Sequence, residues 1–145
     1  MIALSAAIAT MLAAATPALA QQQVVEHRGT SYQVRYEPHV TVRTKTVGLS
    51  AGPRQTTQSC RWTMAVQVER HIGQSGGGQP LAKLLPEERR FSGSLPGDCR
   101  GRTTAIAAEQ DRRDADIRGH VAAVASADRP TLLAEIDAVR ALALN

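Results

Sequence analysis

Between Ser31 and Thr46 the side chains change character at every residue, and few features restrict the fold of a small chain more tightly. Even positions read Tyr32, Val34, Tyr36, Pro38, Val40, Val42, Thr44 and Thr46; odd positions read Ser31, Gln33, Arg35, Glu37, His39, Thr41, Arg43 and Lys45. A period of two over this length is a half-buried strand, with one face against a core and the other in water. Pro38 has no N–H for a ladder, so the stretch is expected to be an edge strand, or two strands bent at the proline with parity kept. An exposed edge of that kind is open to self-association or to strand addition by a partner.

The pattern repeats with Cys60, Trp62, Met64, Val66 and Val68 on one face and Arg61, Thr63, Gln67 and Glu69 on the other. Gly48 to Ser59 lies between, rich in Gly, Ser, Thr, Gln and Pro and without apolar period. Such a connector suits an antiparallel pair better than a helical crossover. Gly73 to Gln79, with Gly76, Gly77 and Gly78 in a row, reads as a surface loop, and Pro80 to Leu85 as a short apolar turn or helix stopped by Pro86. Arg90 to Leu95 is a short strand candidate, Pro96, Gly97 and Asp98 are a turn signal, and Val24 to Arg28 is a further strand candidate.

From Thr103 the composition shifts to Ala, Asp, Arg and Glu, with Ile106, Ile117, Val121 and Val124 near a helical spacing. This predicts a long helix with a thin apolar face. Asp128 stands where an N-cap belongs and Pro130 suits a first turn. Leu132, Leu133, Ile136, Val139 and Leu142 then form a stronger stripe, which predicts a second helix docked on the sheet. Strands first and helices last make an α+β domain: a small antiparallel sheet of about three to five strands, followed by two C-terminal helices on one face.

The first twenty residues stand apart. Ile2 to Ala20 carries no charge and is mostly Ala, Leu, Ile and Met, ending at Gln21, Gln22 and Gln23. Ala18, Leu19 and Ala20 supply the small-x-small end of a secretory leader, and Pro17 stops a helix just before it. Residues 1–20 are therefore expected to be a signal peptide cleaved after Ala20. Residues 21–145 are then a single domain, strands and loops over 21–102 and mainly helix over 103–145. No Lys or Arg precedes Arg28, which departs from a basic leader start and leaves open an origin upstream of Met1. An uncleaved anchor is the alternative, since the stretch approaches the roughly 20 apolar residues that span a bilayer. Its apolar content is largely Ala, which inserts weakly, and an anchor has no use for the small-residue end. The product is expected to be soluble and periplasmic or secreted, with no membrane span in the mature chain.

Cys60 and Cys99 are the only cysteines, and an even count in an oxidising compartment implies a bridge. Closing a loop of about 40 residues contributes roughly 4 kcal/mol by chain-entropy reasoning. A redox role would need a C-x-x-C helix start, and zinc would need four clustered ligands; neither is present around these cysteines.

Gly73-Gln74-Ser75-Gly76-Gly77 matches the G-x-S-x-G string of a nucleophile elbow, but the elbow requires a strand-to-helix turn in a parallel sheet with a His and an acid on later loops. The same glycines fail as a phosphate loop, because Gln79 and Pro80 stand where Lys and Ser or Thr must be; no ATP and no cofactor are expected. His27, His39, His71 and His120 show no metal-ligand spacing, and Glu109, Asp111, Asp114 and Asp116 interleave with Arg112, Arg113 and Arg118 as on a solvated helix face.

The net charge of +4 is unevenly placed: twelve basic and six acidic residues lie from Gln21 to Arg102, against five and seven beyond. Arg35, His39, Arg43 and Lys45 share the outer face of the first long strand, and Arg61, with Arg28 and Arg54, is a candidate addition. Such a stripe attracts anionic polymers: lipopolysaccharide, acidic polysaccharide or nucleic acid. Tyr32, Tyr36 and Trp62 all have core parity, so the face lacks a stacking platform. The leading expectation is a non-catalytic binding or accessory module for an envelope protein. A binder of anionic polymers through the basic face comes second, and a small hydrolase with a dispersed site third.

Overall fold

The computed structural model of the chain describes residues 19–49, 57–74 and 80–143. Four strands form one antiparallel sheet in the order β1-β2-β3-β4, with β1 Gln21–His27, β2 Thr30–Val47, β3 Ser59–Gln74 and β4 Leu81–Pro96. Two helices follow, α1 Thr103–Arg112 and α2 Asp114–Ala143. The expected α+β architecture is present, with both helices on one face and one disulfide.

Parity governs the packing. On β2 the even residues Tyr32, Val34 and Tyr36 are buried, and on β3 so are Cys60, Trp62, Met64, Val66 and Val68. The helices complete this core with Ile106, Ile117, Val121, Val124, Leu132 and Ile136. Trp62 lies across Gly93, its partner on β4; a Cβ there would meet the indole at 2.5 Å, so only glycine fits beneath the ring.

β1 and β2 are joined by Arg28 and Gly29, with φ of 48° and 76°. Two positive φ values in a two-residue connection are the type I′ pattern that matches strand twist. In such a hairpin the residues flanking the turn exchange backbone hydrogen bonds, so the even residues of β2 direct their amides and carbonyls toward β1. β1 ends opposite Tyr36, and beyond it β2 from Glu37 to Val47 has no partner on that edge among the described residues. Pro38 falls where its missing N–H would point to this open side, which is why the strand tolerates it.

β4 differs from the expected short turn or helix over Pro80 to Leu85. It is one 16-residue edge strand that runs through Pro86. Between the pairs Gln67↔Glu88 and Glu69↔Leu84, three residues of β4 face one of β3, and Pro86 sits in this bulge, where no ladder donor is required.

The helical region also departs from expectation. The break falls at Arg113 rather than at Asp128, and Pro130 lies inside α2. Asp114 and Asp116 occupy the first turn of α2, where acids favour the helix dipole. Ile117, Val121, Val124, Asp128, Leu132 and Ile136 are buried in one continuous stripe, so packing carries the helix past the proline. The bond lost at Pro130 would have gone to the carbonyl of Ser126, an exposed residue.

Cys60 and Cys99 are bonded, with a Cα–Cα distance of 4.7 Å. The bridge ties a core position of β3 to the turn that launches α1. Neighbouring contacts hold the same corner: the Cys99 amide donates to Thr46 Oγ1 at 3.0 Å, and Arg102 Nη2 donates to the Pro96 carbonyl at 2.6 Å.

Candidate binding surfaces

Because both helices lie over the even face of β2, its odd residues face outward together with the odd residues of β3. Arg35, His39, Arg43, Lys45 and Arg61 therefore share the open face, as their parity requires. Register then separates them. Arg35 is bound to Glu37 at 2.9 Å, and His71 Nε2 lies 3.4 Å from Glu37 and 3.5 Å from Glu69, so that end of the stripe is close to neutral. His39 lies opposite Gln67. At the other end Arg43 is opposite Thr63, and Lys45 is directly opposite Arg61. Among the described residues none of these three cations has a carboxylate within ion-pair distance. Arg28 does not join them: its turn swings it to the helical side, where Nε meets Asp137 at 2.8 Å. Arg54 lies outside the described residues.

A shallow trough of about 350 Å³ crosses this face, bounded by Thr41, Arg43, Thr63, Glu88 and Arg90 and floored by Ala65 and Gln67. Arg43 on β2 and Arg90 on β4 stand on either side of the short side chains of β3. Arg90, which is ion-paired with Glu88, was not among the residues singled out from sequence, because β4 shows no clear alternation.

On the covered face a charged cluster is buried against α2. Arg70 follows Val68 with core parity on β3, and its side chain is 1% exposed. Asp128 Oδ2 accepts from Arg70 Nη1 at 2.6 Å and from the Tyr36 hydroxyl at 3.0 Å. Glu135, two helical turns further on along the same side, accepts from Arg70 Nη2 and from Lys83 Nζ. Burial, reinforced by the charge of Asp128, pushes the Tyr36 phenol up to about 12. Burial alone would weaken the charged Arg70, but hydrogen bonds to Asp128 and Glu135 outweigh it and hold the guanidinium protonated. The hydrogen bond from Lys83 lowers Glu135 below the usual carboxylate range against partial burial, with Arg70 adding to it. At the β1–β2 turn, His27 Nε2 at 2.8 Å lowers Asp137 in the same way, helped by Arg28. The signal for this cluster was present in the sequence: a charge at Arg70, on the parity that buries Val66 and Val68.

Beside the cluster, between the end of α2 and the ends of β3 and β4, lies a mostly apolar cavity of about 530 Å³. Tyr32, Ile72, Leu81, Ile136 and Val139 give it apolar walls, and Arg70, Lys83, Glu135 and Arg140 give it charge.

Among the described residues no three His, Cys, Asp or Glu side chains gather as a metal site. Ser75, with the glycines after it, lies outside the described residues. His120 is half-buried, and its Nε2 has no hydrogen-bond partner among the described residues. The acidic and basic residues of the helices pair as on a solvated face, with Arg112 bound to Glu109 and Arg113 Nη1 at 3.9 Å from Asp116. Compared with protein-family models, with curated proteins and with solved structures, the chain matches none of them.

Proposed function

We propose that this chain is an exported, non-catalytic binding module of the cell envelope, periplasmic or secreted, and that it engages an anionic polymer across the open face of its sheet. The observation that supports this reading is the placement of Lys45 directly opposite Arg61, continued by Arg43 at the edge of the trough. Like charges directly opposed on a sheet are destabilising, and they are relieved when an anion lies between them. A line of cations over short hydroxyl-bearing side chains suits a chain of carboxylates, sulfates or phosphates. Tyr32, Tyr36, Trp62 and Phe91 all lie on the helical face, so stacking on bases does not contribute. Acidic polysaccharide or lipopolysaccharide therefore fits better than nucleic acid. Export is supported by the cystine and by the leader-like residues before Gln21. No helix among the described residues is long and apolar enough to cross a membrane.

Retention on a heparin column tests the reading. The variant Arg43→Glu, Lys45→Glu, Arg61→Glu is expected to elute at much lower salt, with a shallower dependence of affinity on salt, whereas Arg35→Gln, already neutralised by Glu37, is expected to change little. Unchanged retention of the triple variant would remove the proposal. The edge of β2 from Glu37 to Val47, without a partner among the described residues, offers the same module strand addition to an envelope protein or a second copy. A strictly monomeric protein whose edge amides are protected from hydrogen exchange would dismiss that route.

A further inference from the structure

The stripe on α2 runs out of partner before it ends. Leu132 and Ile136 are buried, but Val139 and Leu142, the next two members, are 55% and 78% exposed. Across from them Leu81, at the start of β4, is 63% exposed. From Val139 onward the apolar side of the helix thus stands off from the β3–β4 end of the sheet, and the cavity of about 530 Å³ occupies the gap, within the range of small-ligand pockets. Apolar surface on both walls makes an empty, water-filled gap unfavourable.

The charged lining is unbalanced. Arg70, Lys83 and Arg140 are set against Glu135, with Asp128 behind Arg70, which leaves one positive charge in excess. Arg140 makes no ion pair among the described residues. Its Nη1 and the Nε of Arg70 are both buried without a hydrogen-bond partner. Guanidinium nitrogens only donate, so the missing partner is an acceptor. A buried donor left unmatched is unfavourable, and a bound acceptor relieves it.

From these features we infer that the gap between the end of α2 and the β3–β4 end of the sheet binds a single-chain amphipathic anion of the fatty-acid class. Its carboxylate meets Arg140, with the buried charge of Arg70 behind it, and its alkyl chain lies between Val139 and the Ile72–Leu81 wall. The site is on the opposite face of the sheet from the polymer surface and does not depend on it.

The test is calorimetric titration of the full mature chain with dodecanoate below its micellar concentration, with dodecyltrimethylammonium and butyrate as controls. Saturable one-to-one binding of dodecanoate is expected, with at least tenfold weaker binding of both controls. Arg140→Gln and Val139→Asp each change an accessible helix position. Both are expected to keep the thermal transition of the parent and to weaken dodecanoate at least tenfold, while the triple charge reversal on the open face leaves it unchanged. Absence of saturable binding would overturn the assignment. So would equal binding of the cationic detergent, which would make the gap a seat for any apolar segment, or unchanged affinity in Arg140→Gln.

Discussion

Removing the carboxylate of Asp128 isolates what the buried cluster contributes. Asp128 Oδ2 serves two donors at once, Arg70 Nη1 at 2.6 Å and the Tyr36 hydroxyl at 3.0 Å, and the side chains of Arg70 and Asp128 are 1% and 7% exposed. Breaking a buried pair by deleting one partner costs about 3–5 kcal/mol, because the remaining charge stays desolvated. Here Arg70 keeps Glu135, whose side chain is 35% exposed and therefore a weaker, partly screened partner, so Asp128→Ala is expected near the lower bound, about 3 kcal/mol. That is a large share of the roughly 5–15 kcal/mol that holds a domain folded, and corresponds to roughly 10 °C in Tm. Urea unfolding with the disulfide intact measures it. The diagnostic comparison is the background Arg70→Met: there Asp128 is itself the unpaired buried charge, so removing it is expected to cost nothing or to stabilise, the stranded Tyr36 hydroxyl offsetting part of the gain. A loss below about 1 kcal/mol in the parent, or the same loss in both backgrounds, would show that the two groups are not energetically coupled as their geometry requires.

Three further outcomes follow from other parts of the fold. Replacing both Cys60 and Cys99 by Ala is expected to lower stability by about 4 kcal/mol, and native alkylation followed by mass measurement should find no free thiol in the parent. The folded-state value of Tyr36, about 12, lies above the ordinary value near 10, so the folded chain keeps a proton that the unfolded chain releases. Its contribution is complete below pH 10 and is lost as pH rises from there through 12; Tyr36→Phe should flatten that alkaline decline, and an unaltered decline would place its cause elsewhere. Gly93→Ala forces a methyl into the indole of Trp62 and is expected to cost about 1–3 kcal/mol with a shift in tryptophan emission.

The two central strands are legible because β3, and β2 as far as Tyr36, bury one face and expose the other, so their residues alternate; beyond Pro38 the alternation of β2 continues although Val42, Thr44 and Thr46 are exposed. Their ends are less so. Alternation on β3 continues past Val68 to Arg70 and Ile72, but a charge at a core position interrupts an apolar pattern even when its partner waits on another element. In the sequence β4 looks like fragments because an edge strand has little to bury: of its residues only Leu85 is fully enclosed, and Pro86 imitates a stop signal that its bulge absorbs. Asp128 and Pro130 form a sound local helix start, yet Asp128 is drawn inward by Arg70 and Tyr36. A side chain committed to a tertiary ion pair is no longer free to cap a backbone.

The binding surfaces divide along the same line between what a strand or helix shows by itself and what register or termination decides. Parity alone assigns Arg35, Arg43 and Lys45 to one face, but only the pairing of β2 with β3 sets Lys45 against Arg61 and leaves Arg35 beside Glu37. A shift of the register by two residues would preserve every inward and outward assignment while moving Arg61 from Lys45 to Arg43, so the charge cluster carries information that alternation cannot. The cavity is hidden for the converse reason. An amphipathic stripe reports which residues would bury if a surface lay beneath them, and Leu132 and Val139 look alike in that respect. They part company because the sheet supports the helix at Leu132 and falls away before Val139, which turns the end of a core-forming stripe into the wall of a site.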